Sequence, residues 1–479
     1  GMSVSGNVTL NGTGVAGAGD GINIDNSAVN VLSGNMNLTG ISTDGDGIEV
    51  MGSAAISSTG SGTIVMSGNA GAGGDNGVSI SSSTVSSTGT GTITIDGTST
   101  GSLEGVAVSG ATAEIASNAG DIQITGTGIA GGVHIVAGVT EAIDADGVAN
   151  IQVTGTATGG AAAAVAINSP ITSETGTATI TSQDGASTTD DVLFGAAGDV
   201  TSTSGTVTID ADNAGGTADV TMADGAVINA GSGLIDIDAD VDINVGGLVT
   251  TGEVRANAGT GAVAGAIIDS GDTDADITAA TAQLIAQTGI GDAGDVNGAL
   301  DTVADAAATS LTIGAQTESG DINVTNTGHL VVGTVNGTAG ATIIDADTDD
   351  AGDDIALVAN SPLTVNDAVT NNDGGDITLT AAGATTADDA TLNANVTAAG
   401  GNGNITVNAG SDIVQAAASA VVAAGSGAID YNASTGAAGG IAMSDGAEAN
   451  SGTGQITMDA SGDITLGGVS TANAAAAVT

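Results

Sequence analysis

The side chains with the clearest chemical potential are aspartates that alternate with other residues. Two groups have this spacing: Asp236, Asp238, Asp240 and Asp242, and Asp345, Asp347 and Asp349. Alternate residues of a β-strand point to the same face, so each group is expected to gather its carboxylates on one outward face. Calcium takes six to eight oxygen ligands, and carboxylates are prominent among them. These seven aspartates are therefore candidate calcium ligands, and Ca2+ is the one cofactor that the sequence suggests.

Neither group matches a strict calcium-binding loop. In the group that starts at Asp345, the position that requires glycine is Asp350, and the position that requires glutamate is Ala356. The alternative is a solvated acidic surface, which keeps an exported chain soluble through charge repulsion. The spacing leaves both interpretations open.

The charge balance excludes several classes of function. The chain has 479 residues, with 54 Asp and Glu against one basic residue, Arg255, and a formal net charge of −53. Nucleic-acid binding needs basic residues to neutralise phosphates, and an anionic membrane surface would repel this chain. Without cysteine or lysine there is no thiolate metal site, cysteine nucleophile or Schiff base. No apolar run reaches the roughly 18 residues that would span a bilayer.

The sequence is expected not to encode an enzyme. Catalysis on an acidic polysaccharide, the alternative, needs a basic groove or carboxylates clustered in a cleft. Arg255 is the only permanent cation, and His134 and His329 lie far apart in the sequence. His134 stands between Val133 and Ile135, which predicts an exposed position on an outward face.

The elements that must position all these residues are short strands that recur with a fixed spacing. Three sets of alternating Ile and Val runs return in the same order about every 28 residues. The first set begins at Val8, Met36, Ile64, Ile93, Ile122, Ile151, Ala178, Val207 and Ile235. A fixed repeat of this length is typical of solenoid proteins.

The alternation within each run predicts how the repeats stack. In the run at 91–95, Ile93 and Ile95 point inward, and Thr92 and Thr94 point outward. Three strands per turn, joined by corners rich in Gly, Ser, Asn and Asp, make a triangular coil. We therefore predict an all-β fold, a right-handed parallel β-helix with three-stranded turns of about 28 residues.

The regularity of the repeat divides the chain into three segments of one continuous solenoid. Residues 1–245 are regular β-helix repeats, and 246–315 are irregular coils. The Ala and Leu content at 281–287 and 300–306 is compatible with a short helix in this second segment. Residues 316–479 resume the strand motif with more variable turns.

The third segment contains a recurring Gly-Asp-Ile motif. It reads Gly-Asp-Ile-Asn-Val-Thr at 320–325, Gly-Asp-Ile-Thr-Leu-Thr at 375–380 and Gly-Asp-Ile-Thr-Leu at 462–466. In these residues the chain resembles the repeats of filamentous-haemagglutinin-like and autotransporter-passenger-like bacterial surface proteins. The resemblance covers about residues 310–479 and implies a right-handed β-helix, secretion and an adhesive or structural role at the cell surface.

These observations predict an extracellular structural or adhesive protein at the cell surface. A stiff anionic rod would serve as a surface stalk or as a head-to-tail filament subunit, because open β-helix ends expose unpaired backbone groups. Its expected partners are further copies of itself or a glycan or protein of a host or cell surface, with neither nucleic-acid binding nor membrane insertion. The alternative is a calcium-binding repeat module of a large secreted adhesin.

Overall fold

A computed structural model describes most of the chain. The described residues are 1–15, 17, 19–159, 163–183, 191–211, 216–259, 263–271, 274–291, 298–344, 352–433 and 439–472. Within these ranges the fold is all-β, without a helix. Its parallel strands stack as a β-solenoid of about 15 turns, with about 28 residues per turn. The predicted fold class is therefore confirmed. Among the same residues, no helix has the length and hydropathy needed to cross a membrane.

Vertical columns of aliphatic side chains fill the interior of each turn. Ile93 pairs in register with Ile64 of the preceding turn and with Ile122 of the following turn, and all three are fully buried. The same alternation buries Ile95 beside Met66. Each turn therefore repeats the packing of the one before it, and burial of these aliphatic groups stabilises the stack.

The contacts divide the chain into two compact units, 1–250 and 251–479. In the first unit each turn has three strands, of which the first is usually the longest. The first strands are Val8–Thr13, Met36–Ser42, Ile64–Ala70, Ile93–Ser99, Ile122–Gly128, Ile151–Ala157, Ala178–Ser182, Val207–Ala211 and Ile235–Ala239. The second strands are Ile22–Asp25, Ile48–Met51, Val78–Ser81, Glu104–Ser109, Gly131–Ile135, Val165–Ile167, Val192–Phe194, Val220–Met222 and Ile243–Val245. The third strands are Met2–Val4, Ala28–Val31, Ala55–Ser58, Thr84–Ser87, Glu114–Ser117, Ile143–Ala145, Ile171–Ser173, Val200–Ser202, Val227–Gly231 and Gly247–Thr250.

Two columns of glycine bring opposite strands of the first unit into direct backbone contact. Gly68, the fifth residue of its first strand, pairs with Gly40 below it and Gly97 above it. A methyl group at Gly68 would overlap the carbonyl oxygen of Gly77, which precedes the second strand. A methyl group at Gly97 would likewise overlap the carbonyl oxygen of Gly105. At Gly68 and Gly97 the interior therefore narrows to a neck that leaves no room for a side chain.

The second unit begins with the same order of strands and then changes it. The earlier strands are Glu253–Ala258, Ala266–Asp269, Ile277–Ala279, Thr281–Ala286, Gly289–Ile290, Leu300–Ala304 and Leu311–Thr317. The later strands are Ile322–Thr327, Leu330–Val332, Ala341–Ile343, Ile355–Ala359, Leu363–Val365, Val369–Asn371, Ile377–Ala381, Ala390–Leu392, Val396–Ala398, Ile405–Ala409, Ile413–Gln415, Ala420–Ala423, Ile429–Ala433, Ile441–Met443, Glu448–Ser451, Ile456–Ala460, Ile464–Thr465 and Gly468–Thr471.

The change occurs at 311–343, which we call the transition. Leu311–Thr317 pairs with two short strands of the next turn, Leu330–Val332 and Ala341–Ile343. Conversely, Gly289–Ile290 and Leu300–Ala304 both pair with the single strand Ile322–Thr327. Beyond the transition, two short strands of each turn therefore stack on the column that one long strand formed before it. In return, one long strand of each turn stacks on the column that two short strands formed before it.

A small antiparallel hairpin connects the two short strands at the transition. Its arms are Thr334–Val335 and Thr338–Ala339. Asn336 and Gly337 form the tip, with φ angles of 46° and 91°. An Asn-Gly pair at positive φ forms the two-residue turn that matches the twist of a hairpin. We call residues 333–340 the clamp hairpin.

The prediction that a short helix could form at 281–287 or 300–306 is wrong. Thr281–Ala286 and Leu300–Ala304 are strands of the solenoid. Ala282, Leu284 and Ala286 are all buried and point to the interior. A spacing of two residues places all three side chains on one face of a strand, where they pack in the core. This tertiary packing overrides the helix propensity of Ala and Leu.

Candidate functional site

Many of the acidic residues at the corners accept hydrogen bonds from the next turn. In the second unit the N–H of Asp354 donates to Asp321 Oδ1 and the N–H of Asp376 donates to Asp354 Oδ1, both at 2.6 Å. The N–H of Asn404 then donates to Asp376 Oδ1 at 2.7 Å, and the N–H of Ala428 donates to Asn404 Oδ1 at 2.9 Å. We call Asp321, Asp354, Asp376 and Asn404 the acceptor ladder.

The acceptor ladder explains the Gly-Asp-Ile motif physically. Each ladder residue stands immediately before a strand that starts with isoleucine, where the chain leaves the corner. Its side-chain oxygen satisfies a backbone N–H of the following turn, which is otherwise an orphan donor at the strand start. In the motifs at 320–325 and 375–380 the aspartate is therefore a structural acceptor that joins one turn to the next.

Stacked carboxylates in the ladder also repel one another. Partial burial is the main cause that raises the pKa of Asp354 above its ordinary value, and the charges of Asp376, Asp321 and Asp353 add to the rise. The hydrogen bond from the N–H of Asp376 acts in the opposite direction. The ladder therefore combines a favourable bond to the backbone with an unfavourable charge.

A second ladder in the first unit leads to the densest group of carboxylates. The N–H of Asp46 donates to Asp20 Oδ1 at 3.1 Å, and the N–H of Asn76 donates to Asp46 Oδ1 at 2.6 Å. Glu49 stands three residues after Asp46, and carboxylate oxygens of Asp20, Asp46 and Glu49 lie within 4.8 Å of one another. We call these three residues the acid group.

One amide side chain connects two members of the acid group. Asn23 Nδ2 donates to Asp20 Oδ2 at 2.8 Å and to Glu49 Oε2 at 2.6 Å. Burial raises the pKa of Glu49 to about 7, with the nearby Asp20 carboxylate as the next cause. Burial also raises the pKa of Asp46 to about 6 against the lowering effect of the Asn76 N–H, and Asp75 and Asp20 add to the rise. Burial and neighbouring charge thus favour protonation of Asp46 and Glu49 at a higher pH than ordinary carboxylates, and the three side chains together could offer carboxylate oxygens to a divalent cation.

The candidate calcium ligands at 236–242 are not gathered on one face. Asp236 and Asp238 are half-buried on the outer side of Ile235–Ala239, where Asp238 neighbours Asp210 of the preceding turn. Asp240 is only 1% exposed, and Asp242 is half-buried just before the next strand. The predicted outward position is wrong for Asp240, because the strand ends at Ala239 and the backbone bends.

The acid group is the one set of three metal-ligating side chains with suitable spacing among the described residues. It does not include the aspartates at 236–242, and calcium binding by those aspartates stays a prediction. The second predicted group, Asp345, Asp347 and Asp349, lies outside the described residues.

The histidines and the arginine sit in separate local contacts. His134 Nδ1 lies 3.4 Å from Glu104 Oε1, and its Nε2 lies 3.3 Å from Asn168 Nδ2. The contact with His134 is the main cause that lowers the pKa of Glu104. Arg255 Nε donates to Glu253 Oε1 at 2.6 Å within one strand. These contacts are typical of pairs on an outer sheet surface, where they add little to stability.

Sequence reasoning missed the acid group because it searched for acidic residues close together in the chain. Asp20 and Asp46 are 26 residues apart, and stacking of consecutive turns brings them together. The signal was present in the Asp-Gly pairs that directly precede the second strands of consecutive turns, at residues 20–21 and 46–47. Residues at equivalent positions of neighbouring repeats are neighbours in a solenoid.

The parallel turns, aliphatic columns and acceptor ladders define the chain as a β-solenoid repeat protein. Comparison with protein-family models, curated proteins and solved structures finds no match. The relationship to filamentous-haemagglutinin-like and autotransporter-passenger-like proteins therefore stays a hypothesis.

Proposed function

We propose that this protein is an extracellular structural or adhesive protein, a stiff anionic rod that serves as a surface stalk or a head-to-tail filament subunit. The observation that carries this proposal is the continuous pairing of turns along the stack within each unit. Ile377–Ala381, for example, pairs with Ile355–Ala359 below it and Ile405–Ala409 above it. Parallel strands bonded in this way distribute an axial load over many hydrogen bonds, which suits a mechanical role.

The side-chain chemistry supports a role outside the cell. Trypsin cleaves after Lys or Arg, and the one such residue, Arg255, lies inside the paired strand Glu253–Ala258. The acidic corners keep a long stack soluble through charge repulsion. The lack of cysteine is compatible with an oxidising compartment, because the stacked turns need no disulfide bonds.

The Gly-Asp-Ile motif supports an adhesive role of the kind found in filamentous-haemagglutinin-like proteins. Two of its aspartates, Asp321 and Asp376, belong to the acceptor ladder and serve the stack, which leaves the outer sheet surfaces available to partners. We propose a surface glycan or protein, or further copies of the chain, as those partners. The proposal includes neither catalysis nor binding of nucleic acid.

Electron microscopy of the full chain over a range of concentrations tests this function. Filaments that lengthen with concentration are expected for a filament subunit, and single short rods at every concentration for a stalk. Compact round particles would overturn both forms of the proposal. Adding 0.5 M NaCl should favour assembly, since salt screens repulsion between acidic subunits.

A calcium-binding module is the second candidate function, and the convergence of Asp20, Asp46 and Glu49 favours it. Calcium would relieve the repulsion among these carboxylates and would stabilise the folded state by mass action. The melting temperature should then rise by several degrees with 1 mM CaCl2, and less in the Glu49→Gln variant. If CaCl2 does not change the melting temperature of the unmodified chain, the calcium-binding function is refuted.

A further inference from the structure

The clamp hairpin folds back over an earlier turn of the solenoid. Its contact is Gln283 in the strand Thr281–Ala286. Gln283 Nε2 donates to Thr338 Oγ1 at 2.8 Å and, more weakly, to the carbonyl of Asn336 at 3.4 Å. In return, Asn336 Nδ2 donates to Gln283 Oε1 at 3.0 Å. The side-chain amide of Gln283 is thus bonded through both its nitrogen and its oxygen.

These bonds skip one turn of the stack. Thr281–Ala286 pairs with Leu311–Thr317, which in turn pairs with Leu330–Val332 and Ala341–Ile343 on either side of the hairpin. The clamp hairpin therefore belongs to the turn that contains Leu330–Val332 and Ala341–Ile343, and it binds the turn that lies two turns earlier in the stack. The parallel strand pairs of the transition connect consecutive turns only.

The clamp hairpin also covers the weak point of the transition. Gly314 lies between the parts of Leu311–Thr317 that pair with the two short strands, and its own position has no partner in either register. A methyl group at Gly314 would overlap the carbonyl oxygen of Thr338, so glycine lets the hairpin lie flat. Gln283 is only 9% exposed although it points outward, and Val335 on the hairpin is 4% exposed.

We propose that the clamp hairpin is a lock that prevents the turns from separating at the transition. Strands of three residues contribute few inter-strand hydrogen bonds, and the pairing of Leu311–Thr317 with the next turn is interrupted at Gly314. Opening of Leu330–Val332 and Ala341–Ile343 must also break the bonds to Gln283 and expose Val335. The lock therefore couples local opening of this turn to the turn two below it. This inference does not depend on the proposed function.

Native-state hydrogen exchange of the full chain in low urea, read by mass spectrometry, tests the lock. In Gln283→Ala, exchange of the amides in Leu330–Val332 and Ala341–Ile343 should accelerate about tenfold, since about 1.4 kcal/mol of coupling is lost. Thr338→Val, which keeps the shape and removes the acceptor, should act in the same direction. Amides in Ile405–Ala409, which lie further along the stack, should keep their rates.

Gln316→Ala is the matched control, because Gln316 lies on the outer side of Leu311–Thr317 and pairs in register with Thr342. It should change these rates by less than about twofold. Unchanged exchange in both Gln283→Ala and Thr338→Val would overturn the proposal, and so would an equal acceleration in Gln316→Ala. Gly314→Ala should detach the hairpin. If that variant does not fold, the two side-chain variants still decide the question.

Discussion

The acceptor ladder predicts opposite effects for two substitutions of Asp354. Asp354→Ala removes the oxygen that accepts the N–H of Asp376 at 2.6 Å. Asp354→Asn keeps a side-chain oxygen in the same place and removes the charge. The alanine variant should therefore lose stability, while the asparagine variant should gain some at pH 7.5.

The magnitudes follow from the half-buried position of Asp354. Loss of a hydrogen bond to a charged acceptor costs about 1.5 kcal/mol, and repulsion between partly exposed carboxylates costs about 0.5 kcal/mol. Asp354→Ala should lower the free energy of unfolding by about 1 kcal/mol, because it loses the bond and relieves the repulsion. Asp354→Asn should raise it by about 0.5 kcal/mol. This gain should shrink in 0.5 M NaCl, since salt screens only the charge effect.

Urea denaturation followed by circular dichroism measures both variants in the full chain. Asp430 supplies the matched control, since it lies on the outer side of Ile429–Ala433 between Thr406 and Thr457 of the neighbouring strands. Asp430→Ala and Asp430→Asn should differ by less than about 0.5 kcal/mol. Equal stabilities for Asp354→Ala and Asp354→Asn would refute the ladder as a source of stability.

Three further predictions concern the neck, the buried tyrosine and the acid group. Gly97→Ala should destabilise the protein by about 2–3 kcal/mol in urea denaturation, because its methyl group overlaps a backbone carbonyl; a loss below about 1 kcal/mol would contradict the neck. Tyr431→Phe should cost about 1–2 kcal/mol, because it leaves the buried Gln415 Oε1 without the donor that lies 2.9 Å away; an unchanged melting curve would contradict this. Burial and neighbouring charges raise the pKa of Asp46 to about 6 and that of Glu49 to about 7, from ordinary values of 3.8 and 4.5. Because the folded chain then binds protons that the unfolded chain has already released, the free energy of unfolding should fall as pH rises from about 4 to 7. After allowance for solvent screening, this fall is about 1–2 kcal/mol, and a slope unchanged in Glu49→Gln would exclude Glu49 as a source of it.

The sequence predicted the fold well because a solenoid translates sequence spacing directly into contacts. The register of Ile64, Ile93 and Ile122 follows from their spacing alone and is confirmed. The transition could not be predicted from the sequence, because Leu311–Thr317 has the same alternation of apolar and polar residues as the earlier first strands. Only the pairing of the following turn shows that it is matched by two strands.

The acidic residues were harder to interpret than the aliphatic ones. Alternation along one strand suggested a shared face for Asp236 and Asp240, but a bend after Ala239 buries Asp240. Asp20 and Asp46 converge because equivalent corners are stacked, which a search for local clusters does not detect. Aspartates in such chains should therefore be compared at equivalent positions of consecutive repeats.

The glycine neck has a consequence for how new sequence can be accommodated. The loop beyond the neck runs from Gly40 to Gly47 in one turn and from Gly68 to Gly77 in another, so its length already varies. Because the two backbones touch at the neck, the aliphatic columns on the inner side do not depend on what the loop contains. Foreign peptides grafted at 72–73, between the strand end at Ala70 and the inter-turn hydrogen bond of Asn76, would therefore be displayed away from the aliphatic columns.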